Sequence, residues 1–66
     1  MSKAILRLNA TLAKTGLSRS VLYSKISKGE FPKQINLSER SIGFLSDEVD
    51  NWIDERVRAS RPNEVQ

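Results

Sequence analysis

Arg19, Ser20, Tyr23, Ser24 and Lys28 share the polar side of one short helical pattern that follows the hinge Thr15-Gly16-Leu17-Ser18. Such a row of hydrogen-bond donors on an exposed helix suits base edges in the major groove of DNA. The first turn of a recognition helix points into the groove, where arginine can fork onto guanine, so Arg19 and Ser20 are placed at the bases, with Ser18 beside them counted among the DNA-binding residues. Tyr23 and Ser24, one turn on, reach a base edge or a phosphate. Lys25, Lys28 and Lys33, with Arg40 further along, suit phosphate contacts that set register without reading sequence. Each residue also has a plainer role: Arg19 as a solvated first-turn residue, Tyr23 at a core boundary, the lysines as solubilising charges and Arg40 as an ordinary turn residue.

Other chemistries fit poorly. Asp47, Asp50 and Asp54 recur along one helical pattern, but hard-cation sites generally draw ligands from loops or several elements, so an acidic solvated face is expected there. The chain has no cysteine and no histidine, which removes thiolate and imidazole metal sets and the commonest general base. Ser24 and Lys28 have no oxyanion site beside them, and the isolated glycines Gly16, Gly29 and Gly43 form no phosphate-cradling loop. Neither an enzyme nor a cofactor or metal site is expected. Trp52 could stack on a base, but it shares an apolar stripe with Val49, Ile53 and Val57 and is assigned to the core.

These side chains need a scaffold. Ala4–Leu8 suits a small strand or an extended lead-in. Asn9 is a cap or first-turn residue for a first helix with Leu8, Leu12 and Ala13 on one side, and Gly16 closes it in the left-handed conformation. Leu17 plugs the gap and Ser18 caps a second helix over about Ser18–Lys28, with Leu22 and Ile26 inward, Val21 at the edge and Gly29 as terminator. Such a helix is about 16 Å long, enough to span roughly four base pairs. Phe31-Pro32-Lys33 is a connector. Alternation then predicts a hairpin, with Ile35 and Leu37 outgoing, Ser38-Glu39-Arg40-Ser41 at the tip, and Ile42 and Phe44 returning. Ser46 can cap a third helix that carries Asp47 and Glu48 in its first turn and Arg56 and Arg58 near its end. Residues 1–59 make one domain, and 60–66 are expected to be a disordered tail.

With 66 residues, the core must be compact, since a chain this short buries only about 60% of its unfolded surface. The net charge of +3 is unevenly spread: residues 1–33 hold seven basic groups and one acid, residues 34–66 four basic groups and seven acids. The basic half contains the two-helix unit, as expected for an approach to a polyanion. No apolar stretch approaches the roughly 18–20 residues of a membrane span, so a soluble, cytoplasmic protein is expected. The fold class is mainly α with a small β-hairpin, a winged helix-turn-helix, in which the hairpin tip reaches phosphates or the minor groove beside the recognition helix.

The ordered set Thr15-Gly16-Leu17-Ser18-Arg19-Ser20-Val21-Leu22-Tyr23, Lys28-Gly29-Glu30-Phe31-Pro32-Lys33, Ile42-Gly43-Phe44-Leu45 and Glu48-Val49-Asp50-Asn51-Trp52-Ile53 resembles the AlpA family of phage-type regulators over about residues 7–58. It is more distantly similar to MerR-like winged helices and phage excisionases. The resemblance implies a DNA-binding regulator of a prophage or genomic island, acting on transcription of an integrase gene or as an excisionase that biases the integrase. It maps the recognition positions onto Arg19, Ser20, Tyr23 and Ser24 and the wing arginine onto Arg40, although Ser38-Glu39 stand where the family commonly has glycines. The expected partner is double-stranded DNA, with an integrase or RNA polymerase as a further partner, and pairing or cooperative binding is expected because one copy has a small footprint. The alternative is a protein-interaction adaptor or anti-repressor that docks through its acidic third helix.

Overall fold

A computed structural model of the chain describes residues 4–61. The elements run β1 (Ile5–Arg7), α1 (Leu8–Thr15), α2 (Arg19–Ser27), β2 (Ile35–Asn36), β3 (Ile42–Leu45) and α3 (Ser46–Ser60). The three strands form one antiparallel sheet in the order β1-β3-β2. The architecture is therefore the expected winged helix-turn-helix, mainly α with a small sheet. Its hairpin gains a third strand because β3 has a second edge to pair. The segment that sequence left as strand or lead-in fills that edge, with Ile5 opposite Leu45, Leu6 opposite Phe44 and Arg7 opposite Gly43.

The interior is a cluster of Leu22, Phe31, Phe44 and Val49. One residue comes from α2, one from the connector, one from β3 and one from α3, so each region contributes a single anchor. Leu6, Leu8, Leu12, Leu17, Ile26, Ile42, Trp52 and Ile53 pack around them, partly buried. The dry centre also takes in Thr11, which is fully buried. Its hydroxyl donates to the carbonyl of Arg7 at 3.0 Å, so a polar residue on the inner side of α1 is satisfied locally. Sequence periodicity had put Ala13 on that side, but Ala13 is exposed.

The hinge is held by a second threonine. The Thr15 hydroxyl donates to Thr11 O at 2.8 Å and accepts from Leu17 N at 3.3 Å. Gly16, with φ of 77°, closes α1 in a conformation that glycine adopts without a Cβ penalty. At the far end of α2, Glu30 N donates to Lys25 O and Gly29 N to Ile26 O, the paired bonds of a Schellman closure. Trp52 of α3 then grips this closure: its indole N–H donates to Glu30 O at 2.8 Å. The same ring lies 4.9 Å from Phe31, which meets Phe44 edge-on at 5.5 Å.

Two local expectations, for Ser46 and Leu37, are corrected, and two, for Asn9 and Phe31, are sharpened. Asn9 is a first-turn residue and not a cap, because Arg7 stands at the N-cap of α1 without a side-chain capping bond. Ser46 does not cap α3: the chain passes directly from β3 into the helix, Leu45 is the N-cap, and Ser46 N extends the sheet ladder to Ala4 O at 2.8 Å. Leu37 lies beyond the two-residue strand β2 and is exposed. Phe31, read as connector, is a core residue. Helix α3 continues through Ser60, with Arg61 at its C-cap; the rest of the segment expected to be a tail, 62–66, lies outside the described residues.

Two substitutions test this packing. A Cβ at Gly43 would lie 2.6 Å from Ile5 Cγ2, 3.0 Å from Leu6 O and 3.1 Å from Leu37 Cδ1. The side chains can yield, but the carbonyl belongs to the paired strand, so Gly43→Ala is expected to destabilise the fold by about 1–3 kcal/mol in urea unfolding. Phe31→Ala is expected to cost about 3–5 kcal/mol. That is a large part of the whole stability of so small a domain, so circular dichroism at 25 °C should show a substantially unfolded population.

Candidate nucleic-acid interface

Helix α2 has nine residues, about 14 Å of helix. Ser18 is its N-cap, as expected, and Lys28, counted inside it from sequence, is its C-cap. The Ser18 hydroxyl accepts from Val21 N at 3.3 Å, as the hinge serine should. Because Leu22 is fully buried and Ile26 partly so, helical geometry turns Ser20, Ser24 and Lys28 outward. All three are exposed.

Arg19 and Tyr23, four residues apart, form the flank of α2 towards the sheet. They line a depression of about 300 Å³ with Arg40, Ser41 and Ile42 from the hairpin and Arg7, Leu8 and Asn9 from the junction of β1 with α1. The tip bearing Arg40 is closed by backbone bonds from Leu37 N and Ser38 N to Ser41 O, at 2.8 and 3.2 Å. Three residues proposed from sequence for DNA contact, Arg19, Tyr23 and Arg40, thus come together although they span 22 positions of the chain.

Three guanidinium-bearing residues share the depression and no carboxylate lines it. An ion pair of Lys14 Nζ with Asp50 Oδ1 at 2.8 Å ties α1 to α3. Arg7, Arg19 and Arg40 have no acidic partner among the described residues. Crowded like charges of this kind raise the local positive potential and favour an anion.

The remaining cations are placed elsewhere. Lys25 lies on the opposite flank of α2 and lines a separate groove with Glu30, Glu48, Trp52, Glu55 and Arg56. Lys33 is exposed in the connector after Pro32. Conversely, Arg7 and Asn9 join the depression without having been singled out from sequence. The available signal was an arginine at the end of a three-residue strand, followed at once by a helix, but only the pairing of β1 with β3 brings it beside the wing.

Comparison with known proteins agrees with the fold. The family described as prophage CP4-57 regulatory protein (AlpA) matches residues 4–57. An uncharacterised protein, ORF88, of Enterobacteria phage P4 is 40% identical over 52 residues, covering 79% of this chain and 59% of its own length. The chain therefore spans little more than half of that relative. The DNA-binding transcriptional activator AlpA of Escherichia coli strain K12 is 33% identical over 60 residues, covering 82% of this chain and 86% of its own. No solved structure matches the chain.

Proposed function

The chain belongs to the AlpA family of prophage regulatory proteins, and from that premise we propose that it is a sequence-specific DNA-binding regulator. In this reading α2 lies in the major groove, with Arg19 and Ser20 at base edges and Tyr23 and Ser24 one turn further in. Lys28, at the trailing end of the same helix, meets a phosphate. The observation that carries the proposal is the meeting of Arg19 and Tyr23 of α2 with Arg40 of the wing in one depression free of carboxylates. A duplex engaged by the helix then lies within reach of the hairpin.

The regulator acts on a mobile element, at the promoter of an integrase gene or at an attachment site as an excisionase, and works in the cytoplasm. A nine-residue helix covers few base pairs, so useful specificity calls for paired or cooperative copies on repeated sites. An integrase or RNA polymerase is the natural protein partner. One observation favours a compatible second reading as an adaptor: the last turns of α3, from Asp54 to Ser60, are exposed along their whole length and offer a docking face. In the AlpA relative, the activity given in its name is transcriptional activation on DNA.

Mobility shift with the DNA upstream of the gene and with neighbouring attachment sites, against random competitor, tests the proposal. The intact chain should select a discrete fragment. On that fragment Arg19→Ala should reduce discrimination over random DNA by about 1–3 kcal/mol. Equal losses on both DNAs would remove Arg19 from base recognition, and binding to no duplex at all would leave the adaptor reading.

A further inference from the structure

The depression between α2 and the wing has two walls of different origin. One is the recognition helix, with Arg19 and Tyr23; the other is built from Arg7 and Asn9 at the β1–α1 junction and Arg40 and Ser41 at the hairpin. When a helix enters the major groove, the neighbouring wall faces the sugar-phosphate strand that borders the groove. We infer that Arg7 and Arg40 grip one and the same backbone phosphate of the duplex, making the β1–α1 junction a part of the DNA surface. The inference rests on the placement of α2 in the groove given above.

Three features of Arg7 support it. Its backbone is held from both sides, as the last residue of β1 and the N-cap of α1, with its carbonyl accepting from the buried Thr11 hydroxyl at 3.0 Å. Its side chain is unencumbered: Arg7 is exposed, its cross-strand neighbour is Gly43, and it makes no capping bond. Finally, it shares a carboxylate-free depression with Arg40, although 33 positions of sequence separate them. Two guanidinium groups carried on one wall with no acid lining it can donate to the several acceptor oxygens of one phosphodiester, and with the Arg7 backbone already fixed only side-chain freedom is lost on binding. The Asn9 amide and the Ser41 hydroxyl supply further donors at its rim.

The test is fluorescence anisotropy of the intact chain on a labelled random-sequence duplex over a range of salt concentrations. Arg7→Gln, Arg40→Gln and the double variant are compared with the parent, with Arg58→Gln on α3 as control. Each neutralised phosphate contributes about 0.9 to the slope of log affinity against log salt. For one shared phosphate, each single variant should weaken binding several-fold, the double should lower the slope by about 0.9 in all, and Arg7→Lys should retain the parent's slope. A double-variant loss of about 1.8 would mean two separate phosphates and would overturn the shared grip. So would an Arg7→Gln variant that binds as the parent does. If the parent binds no duplex, the recognition-helix reading fails first and this inference with it, a result distinct from both of the others. A second arm separates DNA from a free anion: inorganic phosphate should displace the duplex no better than chloride at equal ionic strength. Displacement at micromolar phosphate would overturn the assignment in favour of a small-anion site. Thermal unfolding of each variant, expected at the parent's midpoint because both side chains are exposed, excludes loss of fold as the cause.

Discussion

Four apolar side chains form the centre of the interior, and their meeting holds α2, the connector, β3 and α3 together. Leu22, Phe31, Phe44 and Val49 come from four different regions, so none can be lost without releasing the region it anchors. A helix of nine residues is too short to be stable alone in water. Its orientation is therefore set by Leu22 in that cluster and by what closes its two ends.

Those closures are polar, and they tie α2 to its neighbours at both ends. At the start, Thr15 bonds back to Thr11 and forward to Leu17, while Ser18 receives Val21 N. At the end, the Schellman bonds of Gly29 and Glu30 leave the Glu30 carbonyl to accept from Trp52. Trp52 thus does two things with one ring: it covers Phe31 on the core side and fixes the exit of α2 through its N–H. Its partial burial follows from that position at the rim, and Arg56 lies 6.0 Å over the same ring.

The electrostatic design is also a matter of placement. The chain separates a basic half from an acidic one, but the fold refines this: Lys14 is neutralised by Asp50 across α1 and α3, and Lys25 faces a groove that contains Glu30, Glu48 and Glu55. Arg7, Arg19 and Arg40 are the cations gathered where no acid lies. The positive surface free of acids is narrower than the sequence count suggests and is centred between α2 and the wing.

The order of elements, the hinge and the third helix were legible in the residues, because capping, glycine closure and apolar spacing are local and act within a few positions. Ser18, Gly16 and the Leu22–Ile26 pair could be read that way, and so could the polar face with Ser20, Ser24 and Lys28. The burial of Thr11 and Phe31 could not, since a hydroxyl satisfied one turn back and an aromatic beside a proline carry no periodic signal. Nor could the company that Arg7 keeps. Chemical type and local spacing determined which side chains were available to meet an anion. The pairing of β1 with β3, a contact between residues nearly forty positions apart, decided which of them stand together, because only a long-range backbone register can bring the start of the chain to the side of the wing.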